Sequence, residues 1–155
     1  MPNKMQRFTA DARRVLSYAQ GEANYLQSGV IGTEHMLVAL VREEVGIAGR
    51  VLRAMGATKQ QLQSLVEQLA GEITPRMSST PPELSSGVKR VLELAVVEAR
   101  NTGSESVDSG HLLAGLVRLP ESTATTILQQ MHINPDAVRQ RIEQERNPNH
   151  GDSSS

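Results

Sequence analysis

Residues 33–42, which read Thr-Glu-His-Met-Leu-Val-Ala-Leu-Val-Arg, return 76 positions later as residues 109–118, Ser-Gly-His-Leu-Leu-Ala-Gly-Leu-Val-Arg. Both copies place a hydroxyl residue two positions before a histidine, then a mainly apolar run, then an arginine. The same offset aligns the flanking sequence without a gap. Identical pairs include Val15 and Val91, Leu16 and Leu92, Ala19 and Ala95, Glu22 and Glu98, Ala48 and Ala124, Leu52 and Leu128, and Met55 and Met131. The chain is therefore a tandem duplication.

The composition of the 155 residues favours a helical domain. Aromatic residues make up only 2% of the chain, so its core has to consist of aliphatic side chains, which suit helices better than strands. There is no cysteine for a disulfide or a zinc site, and 16 basic against 17 acidic residues create no field that would attract nucleic acid. No apolar run reaches the ~18 residues of a membrane span, and the first residues lack the apolar stretch of a signal peptide. We therefore expect a cytoplasmic protein without a nucleic-acid or membrane partner.

Helical spacing of apolar residues predicts four helices in the first copy. The expected helices run from Thr9 to Gly29, from Glu34 to about Glu44, from about Ile47 to Met55, and from Thr58 to about Gly71. Thr9, Thr33 and Thr58 are suitable N-cap residues, because a side-chain oxygen can accept a bond from a free amide of the first turn. Gly29 and Gly56 are suitable terminators, because glycine adopts the left-handed conformation that ends many helices.

The second copy repeats this pattern after a connector. Its expected helices cover about residues 86–102, 109–118, 123–131 and 134–146, with Asn134 as N-cap and Pro135 as first helical residue of the last one. Residues 73–84 contain three prolines and no helical period, so we expect them to connect the copies. Residues 147–155 have nothing to bury, and we expect a disordered tail.

These elements predict an all-α fold. Repeat 1 covers about residues 8–72 and repeat 2 about residues 85–146, each with four helices. A unit of this size has a marginal core by itself, whereas two related by a pseudo-two-fold axis bury a shared face. We therefore expect one eight-helix globular domain over residues 5–146.

Three segments resemble a known family. They are Arg7-Phe8-Thr9, Gly32-Thr33-Glu34-His35-Met36-Leu37 and Gly46-Ile47-Ala48. Together with the gapless duplication, they resemble the double Clp N-terminal repeat domain that heads AAA+ unfoldases of the ClpC, ClpA and ClpB kind. The resemblance covers about residues 5–146. It implies two four-helix repeats and a non-catalytic role.

The resemblance also implies a function and partners. It implies a module that recruits protein substrates and adaptor proteins to a Clp AAA+ unfoldase and its protease subunits. The sequence has no Gly-x-x-x-x-Gly-Lys-[Ser/Thr] phosphate loop, so we expect no ATPase activity, and nothing in it indicates a cofactor. The alternative is a stand-alone regulatory subunit that binds the Clp protease complex without binding substrate.

Glu34 is the strongest candidate for a binding residue. It lies in the first turn of a predicted helix, whose free amides can hold an anion. The resemblance implies that Glu34, together with Thr9, contributes to recognition of phosphoarginine on substrates, and Thr33 beside Glu34 is a further candidate for this site. The alternative is that Glu34 only complements the helix dipole. In the second copy Gly110 takes the place of Glu34, so we expect no guanidinium to bind there.

The remaining candidates have simpler explanations. His35 and His111 occupy equivalent positions but lack the further ligands of a metal site, so we expect packed histidines that bond to backbone groups. The basic pairs Arg13-Arg14 and Lys89-Arg90 are interleaved with acidic residues, which is typical of solvated helix faces. A docking patch could form from Met5, Phe8 and Met77, since methionine surfaces adapt to varied partners, although Phe8 could instead fasten the first helix to the core.

Overall fold

The structure is a computed structural model that describes residues 7–70 and 81–147, with Ala70 described by its backbone alone. Met5, Met77, most of the expected connector and the expected tail after Asn147 lie outside the described residues.

Within the described ranges the chain forms eight helices and two very short strands. Repeat 1 contains α1 (Ala10–Tyr25), β1 (Val30–Ile31), α2 (Thr33–Arg42), α3 (Ile47–Ala54) and α4 (Lys59–Ala70). Repeat 2 contains β2 (Glu83–Leu84), α5 (Ser86–Asn101), α6 (Ser109–Arg118), α7 (Thr123–Gln130) and α8 (Pro135–Arg146). The order and number of helices confirm the predicted all-α fold of two four-helix repeats.

Most helix ends follow the predicted capping chemistry. The side chains of Thr9, Thr58 and Asn134 each accept a bond from a backbone amide of the helix they precede. Gly56 adopts φ 97° after α3, as predicted for a terminating glycine. The prediction for α1 was wrong at its end, because the helix stops at Tyr25 and Gln27, with φ 57°, takes the left-handed position in place of Gly29.

Helices α2 and α6 form the centre of the molecule. Every residue of Thr33–Val41 and of Ser109–Val117 is buried. Helix α2 is covered by α1 on one side and by α7 of the other repeat on another. The two repeats therefore share one core.

The repeats also exchange extended segments, which the sequence did not predict. β1 pairs in parallel with β2, with Ile31 opposite Leu84, and Phe8 forms a parallel bridge with Val107. Phe8 and Leu84 are repeat equivalents, as are Ile31 and Val107. In each repeat, a residue that precedes the first helix, Phe8 or Leu84, thus pairs with an extended segment of the other repeat, as a pseudo-two-fold axis requires.

Candidate protein-binding site

The Glu34 side chain lies at the start of α2 and folds back over the N-cap. It is 8% exposed, and a Cβ atom on Gly32 would collide with its Oε1. Because Gly32 has no side chain, the Glu34 carboxylate takes the space where an N-cap side chain would stand. It therefore lies beside the free amides of the first turn of α2, as the sequence predicted.

Three helix N-termini meet around Glu34, and we call this meeting point junction 1. Thr33 Oγ1 accepts a hydrogen bond of 3.1 Å from the amide of Ala124, in the first turn of α7. A Cβ atom on Gly87, in the first turn of α5, would lie 3.2 Å from Thr33 Cγ2. Ser85, the N-cap of α5, accepts from the amide of Val88 through its side-chain oxygen at 3.1 Å. Junction 1 therefore combines one carboxylate with hydroxyl groups and helix N-termini.

Thr9 does not lie in junction 1. The Arg14 Nε atom contacts Glu43 Oε2 at 2.8 Å, so the start of α1 lies against the end of α2. Nine residues of helix separate Glu34 from Glu43, which corresponds to ~13 Å along the axis. Thr9 is therefore at the opposite end of this helix pair, where its amide donates to the carbonyl of Val107 at 2.9 Å. Ser85, the repeat equivalent of Thr9, lies at the start of α2 instead, since its amide donates to the carbonyl of Ile31 at 3.0 Å.

The equivalent meeting point in repeat 2, which we call junction 2, is formed by the N-termini of α6, α1 and α3. Here Ser109 Oγ accepts a bond of 3.2 Å from the amide of Ala48, which mirrors the bond between Thr33 and Ala124. Both partners correspond under the 76-residue offset, since Thr33 is equivalent to Ser109 and Ala48 to Ala124. Each central helix thus caps the third helix of the other repeat, which is further evidence for the pseudo-two-fold arrangement.

Carboxylates cap the helices of junction 2. Asp11 Oδ2 accepts from the amide of Ser109 at 2.9 Å, and Asp108 Oδ1 accepts from the amide of His111 at 3.0 Å. Glu43 Oε1 accepts from the amide of Gly46 at 2.6 Å. In junction 1 the equivalent positions are Gly87, Gly32 and Leu119. The helix N-termini of junction 2 are thus neutralised by the chain itself, whereas junction 1 lacks these three carboxylates.

The pKa values of these carboxyl groups follow from their contacts. Burial raises the pKa of Asp11, but hydrogen bonds from Thr9 and Ser109 outweigh burial and hold the pKa below its ordinary value. Burial likewise raises the pKa of Asp108, while Arg146 and His111 together bring it below the ordinary value. Both groups are therefore ionised at neutral pH.

The two histidines pack as predicted. The amide of Gly32 donates to His35 Nδ1 at 2.8 Å, and the amide of Asp108 donates to His111 Nδ1 at 3.0 Å. Burial lowers the pKa of both imidazoles, so both are neutral at neutral pH. No group of three or more histidine or acidic side chains that could hold a metal ion occurs among residues 7–70 and 81–147.

The second copy contains an internal ion pair that the sequence did not predict. The Asp108 carboxylate holds the guanidinium of Arg146 through two hydrogen bonds, of 2.7 and 2.6 Å. At the position of Glu34 the second copy has Gly110, and its carboxylate, Asp108, lies two residues earlier in the chain. The pairing of Asp108 with the end of α8 leaves no local sequence signal.

The proposed docking role of Phe8 is not supported by its position. The Phe8 side chain is only 7% exposed and belongs to the hydrophobic core, because its bridge to Val107 draws it between the repeats. It fastens the start of α1 to the core, which was the alternative interpretation. Met5 and Met77 lie outside the described residues.

Comparison with protein families gives one match over most of the chain. The model of the Clp repeat (R) N-terminal domain matches residues 7–128 and 98–155. Similar curated proteins include the negative regulator of genetic competence ClpC/MecB of Bacillus subtilis, which is 39% identical over 139 residues. They also include the chaperone protein ClpB of Oceanobacillus iheyensis, which is 37% identical over 139 residues. Each match covers 88% of this chain but only 16% and 17% of the relatives, respectively.

Solved structures share the fold. The N-terminal domain of ClpD from Arabidopsis thaliana superimposes with a TM-score of 0.79 at 22% identity, over 94% of this chain and 97% of that domain. A complex of the ClpV N-domain with VipB peptide gives a TM-score of 0.66 at 16% identity, over 87% and 84% of the two chains. No helix in the described part of the chain is long and apolar enough to cross a membrane. From the family match and the relatives, the chain belongs to the Clp repeat N-terminal domain family.

Proposed function

We propose that this chain is a protein-binding module of a Clp chaperone–protease system. It recruits substrates or adaptor proteins to a Clp AAA+ unfoldase and has no ATPase activity of its own. Membership of the family supports this role, and the ClpV N-domain in complex with a peptide shows that a domain of this fold can bind a peptide segment.

Junction 1 is the proposed binding site, and its asymmetry with junction 2 is the observation that carries the proposal. A phosphoarginine side chain presents a guanidinium next to a phosphate, so its site needs a carboxylate next to anion-binding groups. Glu34 supplies the carboxylate for the guanidinium. The neighbouring N-termini of α5 and α7 supply partial positive charge for the phosphate, because Gly87 and Leu119 stand where the other repeat has the carboxylates of Asp11 and Glu43.

Two hydroxyl groups complete the site. The oxygen of Thr33 accepts from the Ala124 amide and that of Ser85 accepts from the Val88 amide, so each hydroxyl hydrogen remains able to donate to a phosphate oxygen. Ser85 takes the role that the sequence had proposed for Thr9. One phosphoarginine therefore binds per chain.

Titration calorimetry with free phosphoarginine tests this site. We expect one equivalent to bind to the parent chain and Glu34→Gln to weaken binding by roughly tenfold or more, as for loss of a charge-assisted pair. Ser85→Ala should weaken binding of phosphoarginine but not of arginine. Glu44→Gln removes an exposed carboxylate at the far end of α2 and should bind like the parent. Equal affinity of the Glu34→Gln variant and the parent would remove Glu34 from the site.

A capture experiment tests the recruiting role separately. The chain is immobilised, and a lysate from cells rich in arginine-phosphorylated proteins is passed over it. Client proteins that elute with free phosphoarginine support recruitment. Elution of Clp subunits alone supports the alternative of a regulatory subunit that binds no substrate.

A further inference from the structure

A cleft of about 620 Å³, which we call the basic cleft, lies where the end of α2 meets α1, α3 and the start of α4. Its lining includes Arg42 at the last position of α2, Arg53 on α3 and Lys59 at the first position of α4. All three residues are exposed, and none of them forms an ion pair within residues 7–70 and 81–147. The basic cleft therefore presents positive charge to solvent.

The carboxylates nearby do not cancel this charge. Glu43 also lines the cleft, but it is buried and paired with Arg14 at 2.8 Å. Glu22 is attracted by two of the three cations from beyond ion-pair distance, and its burial still raises its pKa. Glu44 is exposed and forms no ion pair in the described part of the chain. Three cations thus share the surface of the cleft with one exposed carboxylate.

Two of the three cations are held in place. The guanidinium of Arg42 lies 4.6 Å from the centroid of the Tyr18 ring. Arg53 donates from Nη1 to the carbonyl of Val41 at 3.0 Å and from Nη2 to the carbonyl of Glu44 at 3.3 Å. A guanidinium carries five N–H donors, so both arginines keep donors for a further acceptor. Side chains that are already ordered lose less conformational entropy when a ligand binds.

The second repeat has lost this arrangement. The equivalents of the three cations are Arg118, Gln129 and Pro135. The one cation that is kept, Arg118, is bound to Glu98 at 2.8 Å, and Leu94 stands in the place of Tyr18. The charge of the basic cleft is therefore a feature of repeat 1, and the fold of a repeat does not require it.

An apolar side chain accompanies the cations. Val45, in the loop between α2 and α3, lines the basic cleft. It is 73% exposed, which makes it the most exposed large hydrophobic side chain among the described residues. Its equivalent in repeat 2 is Glu121. Contact with an apolar side chain of a partner would remove Val45 from water. The basic cleft therefore fits a segment that combines carboxylates with an apolar residue.

These features favour a protein partner over a nucleic acid. Nucleic-acid binding relies on a basic track that follows a row of phosphates, whereas the cations here are confined to one cleft beside Glu44. The chain as a whole carries a net charge of −1, which gives no long-range attraction for a polyanion. A phosphate backbone also offers no apolar group for Val45.

We propose that the basic cleft is a docking surface for an acidic segment of a partner protein, in which glutamate or aspartate residues neighbour an apolar residue. Charge complementarity gives such contacts specificity more than affinity. The inference rests on the proposed function only in taking the chain to be a protein-binding module. Eight residues of helix separate Arg42 from Glu34, or ~12 Å, so the basic cleft is separate from junction 1.

Fluorescence anisotropy with the peptide Glu-Glu-Leu-Glu-Glu, carrying a neutral fluorophore, tests the proposal at low ionic strength, where screening is weak. We expect Arg42→Gln and Lys59→Gln each to weaken binding roughly two- to fivefold, and the double variant to weaken it roughly tenfold. Glu44→Gln removes a like charge and should strengthen binding by roughly twofold. A peptide with glutamine at all four charged positions should bind at least roughly tenfold more weakly than the acidic peptide.

Lys89→Gln and Arg141→Gln remove exposed cations from α5 and α8 and should bind the acidic peptide like the parent. The proposal is overturned if the parent does not bind the peptide, if the double variant, folded by circular dichroism, binds like the parent, or if a 12-base-pair DNA duplex binds more tightly than the peptide. Glu34→Gln and Ser85→Ala should leave peptide binding unchanged, and the double variant should leave phosphoarginine binding unchanged. Failure at the basic cleft is thus distinguishable from failure at junction 1.

Discussion

At the scale of single residues, two histidines carry the same structural task in the two repeats. Each accepts a hydrogen bond from the N-cap amide of its own helix through Nδ1, so each has to be neutral. They differ at Nε2. His111 Nε2 contacts Thr102 Oγ1 at 3.0 Å, whereas His35 Nε2 is buried without a partner among the described residues, because Leu26 stands at the position equivalent to Thr102.

Protonation of these histidines should destabilise the fold. Burial lowers both pKa values below the ordinary 6.5, so in mildly acidic solution the unfolded chain binds protons that the folded chain does not. Stability is therefore expected to fall as the pH drops through about 6.5. His35→Gln keeps an acceptor for the Gly32 amide but does not titrate. It should reduce the pH slope of the unfolding free energy by up to about 1.4 kcal/mol per pH unit, the value for one proton.

Urea denaturation at several pH values measures this slope. His132→Asn, which replaces an exposed histidine at φ 61° by a residue that tolerates the left-handed conformation, is the control and should leave most of the slope in place. An unchanged slope for His35→Gln would show that protonation of His35 does not limit stability.

At the scale of elements, the N-termini of the third helices are capped by the other repeat. Thr33 caps α7 and Ser109 caps α3, and both hydroxyl groups are buried. The prediction that Thr33 caps α2 was wrong, because Gly32 is the N-cap of that helix. The Thr33 hydroxyl does accept a bond from a helix N-terminus, but the helix is α7, and the two residues are 91 positions apart in sequence. These bonds connect the repeats through polar contacts within an aliphatic core.

Removal of either hydroxyl should weaken the whole molecule. Thr33→Val and Ser109→Ala each leave a buried amide without its partner, and we expect each to cost about 1–2 kcal/mol in unfolding free energy. Each bond joins the two repeats, so the loss of stability should affect the whole molecule. Unfolding should remain a single transition, with the same change in free energy measured by circular dichroism and by hydrogen exchange. Ser64→Ala, on the exposed face of α4, should change stability by less than ~0.5 kcal/mol. A second transition confined to one repeat would contradict this interlocked arrangement.

At the scale of the whole molecule, neither repeat is complete without the other. Repeat 1 needs Val107 as the partner of Phe8 and Ser109 as the cap of α3. Repeat 2 needs Ile31 as the partner of Leu84 and Thr33 as the cap of α7. Each repeat also needs the other to complete its core, since α2 and α6 are buried on all sides.

Isolated repeats should therefore not fold. Fragments 1–80 and 81–155, each expressed alone, are expected to show weak helical circular dichroism and no cooperative melting, because each loses the face that covers its central helix. An equimolar mixture should regain helicity, since the two fragments can bury the same shared face. A cooperative thermal transition of fragment 1–80 by itself would show that the repeats are independent domains.

The sequence by itself determined the duplication, the eight helices and most of their ends. The 76-residue offset, the aliphatic composition and local capping residues such as Asn134 are all signals that a single stretch of chain carries. Glu34 was also identified from local chemistry, as a carboxylate in the first turn of a helix. These features depend on contacts between residues a few positions apart, and such contacts leave a periodic pattern.

Only the tertiary structure decided how the repeats interlock and which residues share a site. It separated Thr9 from Glu34, placed Ser85 beside Ile31 at the start of α2, and brought Arg146 onto Asp108. The physical reason is that these contacts join chain segments about 40 to 100 residues apart, whose proximity follows from packing two helical repeats about a common axis. The asymmetry of the two junctions, with three capping carboxylates at junction 2 and the single carboxylate of Glu34 at junction 1, becomes visible only once that packing is known.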